Sequence, residues 1–88
     1  GYKLKINSSK IIETVSKDTA SNTSIYKTIV TVKIYLIDGD KIHKEKIFNE
    51  SFTYNNMNNK FNLSQYQREI EVNLINKIID QILIFLII

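Results

Sequence analysis

The sequence predicts an α+β fold, a three-stranded antiparallel β-sheet packed against one C-terminal amphipathic helix. Two long strand-like runs, Ile25–Asp38 and Lys41–Tyr54, flank Asp38-Gly39-Asp40 and predict a β-hairpin. A run from Leu63 to Ile88 has helical periodicity and contains neither proline nor glycine. With 88 residues, 43 % of them hydrophobic, residues 1–88 are expected to form a single domain.

The first segment, Tyr2–Val15, alternates apolar and polar residues as a half-buried strand does. The phase of this alternation changes by one residue around Asn7-Ser8-Ser9, as it would at a β-bulge. We therefore predict either one kinked strand or two short strands, the second of which would make the sheet four-stranded. A polar segment, Lys17–Ser24, is predicted to form the turn that follows.

The hairpin arms can be aligned by the parity of their apolar residues. A three-residue loop, in which Gly39 adopts a positive φ, would pair Leu36 with Ile42 and place Lys33 opposite Glu45. A two-residue Gly-Asp loop would instead oppose two lysines and mix the two faces. The three-residue loop is therefore the predicted connection.

The C-terminal helix is predicted to begin at a capping box formed by Ser64 and Gln67, after a polar loop at Asn55–Asn62. Apolar residues at helical spacing then form one stripe, which would pack on the sheet. Val72 lies off this stripe and is expected to be exposed. The stripe comprises Tyr66, Ile70, Leu74, Ile75, Ile78, Ile79, Ile82 and Leu86.

One helix can cover only one of the two faces of this sheet. The opposite face would still carry Ile25 and four further apolar residues that are candidates for a partner interface: Ile29, Tyr35, Ile37 and Ile47. Either a second helix outside this sequence or a binding partner is expected to cover that face.

No combination of residues in the sequence predicts catalysis or metal binding. There is no cysteine, His43 is the only histidine, and two glycines are too few for a phosphate-binding loop. An exposed strand position is the expected environment of His43. We therefore predict a non-enzymatic protein without a cofactor or a metal.

The charge of the chain allows an anionic partner but does not favour nucleic acid. The formal net charge is +3, and Arg68 is the only arginine. Four strand lysines are candidates for contact with lipopolysaccharide or another anion: Lys27, Lys33, Lys44 and Lys46. The alternative is that these lysines discourage edge-to-edge aggregation of the sheet.

The order of elements, with three short segments, resembles a known protein family. Ser16–Ser21 follows the kinked strand, Tyr26–Leu36 contains a Thr31-Val32 centre, and Ser51-Phe52-Thr53-Tyr54 ends the strand before an asparagine-rich joint and the final helix. This pattern, from Tyr2 to about Leu86, resembles the lipopolysaccharide-assembly lipoproteins, the LptE family.

The resemblance implies a lipoprotein of Gram-negative bacteria at the periplasmic face of the outer membrane. Such a protein plugs and stabilises the β-barrel that inserts lipopolysaccharide, and it contacts that lipid. Family members begin with a lipidated cysteine, a strand and a helix, which are absent here, so Gly1 would be a cut point and membrane attachment would depend on the absent anchor.

Two other functions remain open from the sequence. One is a protein–protein interaction module that homodimerises through its open sheet face. The other is a small anion-binding domain.

Overall fold

The α+β prediction is confirmed by a computed structural model that describes residues 1–87. Three antiparallel strands form one sheet in the order β1-β2-β3, and one helix packs on it. The domain measures 56 × 20 × 19 Å, because every element runs along its long axis. The elements are β1 (Tyr2–Lys17), β2 (Thr23–Asp38), β3 (Lys41–Asn55) and α1 (Lys60–Ile87).

Strand β1 is one continuous strand, in agreement with the one-strand alternative, but the bulge predicted at Asn7-Ser8-Ser9 is wrong. Its pairing with β2 is regular from Tyr2, opposite Asp38, to Thr14, opposite Tyr26, and shifts only between Thr14 and Ser16. The apolar residues change phase because β1 carries them on both faces. Ile11, for example, lies opposite Ile29 on the open face.

The turn between β1 and β2 is held by one aspartate side chain. Asp18 Oδ1 accepts hydrogen bonds from the backbone N–H groups of Ala20 and Asn22, both at 2.9 Å. Ser21 adopts a left-handed conformation with φ of 64°. This Asx turn agrees with the polar turn predicted at Lys17–Ser24.

The hairpin between β2 and β3 has a two-residue loop, so the predicted three-residue loop is wrong. Asp38 pairs with Lys41, and Ile37 pairs with Ile42. A bulge then leaves His43 unpaired. Gly39 has φ of +62°, and a positive φ at the first loop residue is typical of a type II′ turn.

A two-residue loop alone would place the apolar residues of β2 and β3 on opposite faces of the sheet. The extra residue at the His43 bulge returns them to the same face. Beyond it, Leu36 pairs with Lys44, two positions from its predicted register. Lys33 therefore lies opposite Ile47, and not opposite Glu45 as predicted.

Helix α1 begins one turn earlier than predicted. Asn59 Oδ1 accepts a hydrogen bond from Asn62 N–H at 3.1 Å, and Leu63 N–H donates to the Asn59 carbonyl at 3.0 Å. Asn59 is therefore the N-cap, and the predicted capping box at Ser64 and Gln67 lies inside the helix. At 28 residues the helix is about 42 Å long.

The core lies between α1 and the β2–β3 pair. Ile34 and Ile78 are 0 % and 1 % exposed, and the helical stripe supplies Ile70 and Leu74 as predicted. The prediction is wrong for Ile79 and Leu86 of the same stripe, which are 45 % and 37 % exposed. Val72 is exposed, also as predicted. The full set of buried apolar residues is Val30, Val32, Ile34, Phe48, Tyr54, Leu63, Ile70, Leu74 and Ile78.

One polar network is buried within this core. Thr28, which is 0 % exposed, shares a hydrogen bond of 2.7 Å with the Tyr54 hydroxyl. Gln67 Nε2 donates to the same hydroxyl at 3.1 Å. Since a buried hydroxyl without a partner is costly, this network fixes α1 against the sheet at one position.

Candidate interaction surface

Helix α1 leaves the helix-side face of β1 uncovered. The apolar residues of β1 on this face are Leu4, Ile6 and Ile12, which are 48 %, 54 % and 40 % exposed. Their cross-strand partners Leu36, Ile34 and Thr28 lie on β2, in the row that α1 covers. The uncovered surface is therefore adjacent to the core but is not part of it.

A groove of about 350 Å³, lined on the β1 side by Ile6, Ser8, Ser9 and Lys10, separates the middle of β1 from α1. Its helix wall includes Ile75, Ile79 and Ile82, and Ile79 is 45 % exposed. We call Leu4, Ile6 and Ile12 of β1, together with these three isoleucines, the β1–α1 strip. Ile75 and Ile82 already pack partly against the core, whereas the exposed residues Leu4, Ile6, Ile12 and Ile79 would be shielded from water only by another element or molecule.

One ion pair crosses the groove. Lys10 Nζ lies 3.0 Å from Glu71 Oε2, with both side chains partly exposed. Among residues 1–87 no other ion pair is formed. The bridge fixes the spacing of β1 and α1 at one point without filling the groove.

The four interface candidates predicted from the sequence share the open face of the sheet. Ile29, Tyr35 and Ile37 are half-buried, and Ile47 is 52 % exposed. A polar row formed by Ser9, Thr31 and Asn49 crosses the open face and separates Ile29 from the other three residues. The apolar surface of this face is therefore divided into two parts.

The structure does not bring the four candidate lysines together. Lys27 and Lys33 lie on the open face, whereas Lys44 and Lys46 lie on the helix side, opposite Leu36 and Ile34. The pKa of Lys33 is raised, mainly through its hydrogen bond and charge interaction with Tyr35 and less through Glu45, while desolvation acts in the opposite sense. Its ammonium group is therefore charged at neutral pH.

Lys44 and Lys46, on the helix side of β3, lie close to the C-terminal part of α1. Lys44 Nζ and Lys46 Nζ lie 5.7 and 5.6 Å from the centroid of the Phe85 ring. Lys46 Nζ also lies 5.3 Å from the Phe48 ring. Together with Ile84 and Gln81 they line a cavity of about 410 Å³, with ammonium groups beside apolar walls.

His43 lies on the surface at the bulge of β3. Its ring is 5.1 Å from the ring of Tyr2, the first residue of β1. Among the described residues no group of three or more His, Cys, Asp and Glu side chains is placed to hold a metal ion. Within the same residues no helix is both long and apolar enough to cross a bilayer.

The β1–α1 strip was not predicted from the sequence, although a signal for it was present. Ile11 and Ile12 are adjacent, so one of them faces each side of the sheet whatever the register. The sequence did not reveal that α1 would lie over β2 and β3 rather than over the middle of the sheet. No family model, curated protein or solved structure matches the chain.

Proposed function

We propose that this domain is a non-enzymatic assembly component that binds another protein through the β1–α1 strip. The observation that carries the proposal is the exposure of Leu4, Ile6 and Ile12 along β1, together with the groove beside Ile6 whose helix wall carries Ile75, Ile79 and Ile82. Ser8 and Lys10 lie between Ile6 and Ile12 on this face, and exposed apolar side chains with polar neighbours of this kind are typical of protein–protein interfaces. A monomer with this surface exposed to water would tend to aggregate.

The partner we propose is the outer-membrane β-barrel that inserts lipopolysaccharide. This part of the proposal rests on the resemblance to the LptE family, which spans the chain from Tyr2 to about Leu86. In that role the domain would plug and stabilise the barrel from the periplasmic face of the outer membrane.

Capture of the barrel from the source organism tests the proposal. A lipidated form that carries the domain should co-purify with the barrel, and Ile6→Glu should reduce the recovered barrel by about tenfold or more, since it introduces a charge into an apolar contact. The matched control is Ile47→Glu on the open face, because Ile47 and Ile6 are 52 % and 54 % exposed.

The two variants also distinguish the two candidate surfaces. If Ile47→Glu no longer captured the barrel while Ile6→Glu still did, the interface would lie on the open face and not on the β1–α1 strip. Failure of the unaltered lipidated protein to capture the barrel would refute the proposed partner.

A second proposed function is contact with an anionic amphiphile such as lipopolysaccharide. It is favoured by the cavity beside Phe85, where Lys44 and Lys46 offer charge next to apolar surface. Changing Lys44 and Lys46 together to Gln should weaken binding, whereas the same change at Lys27 and Lys33 should not. Electrostatic binding should also weaken as salt is added.

Lipopolysaccharide and neutral-lipid vesicles, compared side by side, provide the measurement. Equal binding to both, or equal loss in the two double variants, would contradict a specific role for the cavity beside Phe85.

A further inference from the structure

Strand β1 has a free edge as well as an uncovered face. It is one of the two edge strands of the sheet, and its 16 residues pair with β2 on one side only. The N–H and C=O groups directed outward from such an edge can form a second antiparallel or parallel ladder. At 16 residues, β1 is much longer than an average strand of roughly five to six residues.

The charges along this edge favour a particular partner. Strand β1 carries Lys3 and Lys5 in its first half and Lys10, Glu13 and Lys17 in its second half, so Glu13 is its one acidic residue. Two antiparallel copies of β1 can place Lys3 of each copy opposite Glu13 of the other, whereas a parallel pair in register would oppose every charge to its like. Lys3 has Ile37 as its neighbour on β2, so its charge has no acidic cross-strand partner within the chain.

The regular part of β1 also selects a register. Pairing with β2 is uninterrupted from Tyr2 to Thr14, and the midpoint of this stretch is Ser8. A two-fold axis at Ser8 pairs the whole stretch with its copy. Lys3 then meets Glu13 on the open face, and Leu4 meets Ile12 on the helix side.

Registers with the axis shifted toward the C-terminal end of β1 are less favourable. Directly opposed residues in an antiparallel pair lie on the same face of the sheet. The two-fold axis must therefore pass through a residue and not between two residues, so that each copy keeps its helix on the same side. An axis at Ser9 would involve the irregular part of β1 after Thr14. An axis one residue further, at Lys10, would oppose Lys10 to its copy and Lys3 to Lys17.

We propose that two copies of this chain associate through antiparallel pairing of their β1 edges, with the two-fold axis at Ser8. The result is a continuous six-stranded sheet with the order β3-β2-β1-β1-β2-β3. The uncovered residues Leu4, Ile6 and Ile12 of both copies become one apolar surface between the two helices. This inference goes beyond the proposed function, because it concerns the edge of β1 and not the protein that the strip binds.

Disulfide trapping tests the register, because the chain contains no cysteine. Opposed residues of an antiparallel pair have Cα atoms about 4.5–5.5 Å apart, within the roughly 4.4–6.8 Å that a disulfide spans. Ser8→Cys should therefore form a covalent dimer under mild oxidation. Ser51→Cys, at an exposed position of β3, is the control and should form at least tenfold less covalent dimer.

Charge reversal tests the pairing without a covalent link. In sedimentation velocity over a dilution series the unaltered chain should dimerise, and Lys3→Glu should raise the dimer dissociation constant roughly tenfold by opposing Glu13 twice. Combining Lys3→Glu with Glu13→Lys should restore it. Both side chains are exposed, so neither change should prevent folding, and the stability of the Glu13→Lys variant is checked separately because it opposes Lys27 within the chain.

Three results would overturn the inference. They are a monomer at all concentrations, equal trapping at Ser8→Cys and Ser51→Cys, and no recovery in the charge-swapped variant. A monomer that still captures the barrel would refute the dimer and leave the proposed function intact. A trapped dimer that captures no barrel would do the reverse.

Discussion

Two adjacent isoleucines of α1 provide a direct test of where the core ends. Ile78 is 1 % exposed and packs against the sheet, whereas Ile79 is 45 % exposed on the wall of the β1–α1 groove. Both are in the same helical turn, so a change to alanine alters helix propensity equally at the two positions. Any difference in stability between the variants must come from packing.

The expected magnitudes follow from burial. Ile78→Ala removes a fully buried side chain and leaves a cavity, so the free energy of unfolding should fall by about 3 kcal/mol. Ile79→Ala removes a side chain that is already half in water and should cost less than about 1 kcal/mol. A chain of 88 residues has a total stability of roughly 4–13 kcal/mol, so the first change is a large fraction of it.

Urea unfolding followed by circular dichroism measures both values under the same conditions. The midpoint of Ile78→Ala should shift strongly, with an unchanged slope, and that of Ile79→Ala should shift little. Equal losses would refute the position of α1 over β2 and β3. In a β1-paired dimer Ile79 could gain cover, so the measurement belongs at low protein concentration.

Three further substitutions test single contacts by the same unfolding measurement. Tyr54→Phe should cost about 1–3 kcal/mol by leaving the buried Thr28 hydroxyl without a partner, and adding Thr28→Val should recover part of that loss; no recovery would argue against the pairing. Asn59→Ala should cost about 1 kcal/mol as the loss of the N-cap, and Ser64→Ala should be nearly neutral; the opposite order would support a helix that begins at Ser64. Gly39→Ala should destabilise the hairpin by about 1 kcal/mol because of its φ of +62°, and an unchanged midpoint would contradict that turn geometry.

The fold class and the buried stripe of α1 could be predicted because they depend on local periodicity. Ile70, Leu74 and Ile78 recur at steps of four, and only one helical face can place them together. The helix start was less predictable, because asparagine is a good N-cap and this joint contains several. Ser64 matched a capping box in sequence, yet the chain forms its first helical turn before it.

The hairpin register illustrates a limit of parity arguments. Even-numbered residues of both strands share a face in the predicted and in the observed register, so apolar parity could not distinguish them. The observed register differs from the predicted one by the bulge at His43. Nothing in the sequence around His43 indicates that this residue would be left unpaired. Where α1 lies across the sheet is likewise decided by long-range packing, which the sequence of α1 alone does not encode.

The length of the hairpin has a consequence for its motions. Buried residues of β2 end at Ile34 and those of β3 begin at Phe48, so the thirteen or so residues around the turn lie beyond the core. Cross-strand pairs and the half-buried Phe85 are their main support. Amide hydrogens there should exchange through local opening well before those near Thr28, and the hairpin tip can separate its strands while the rest stays folded.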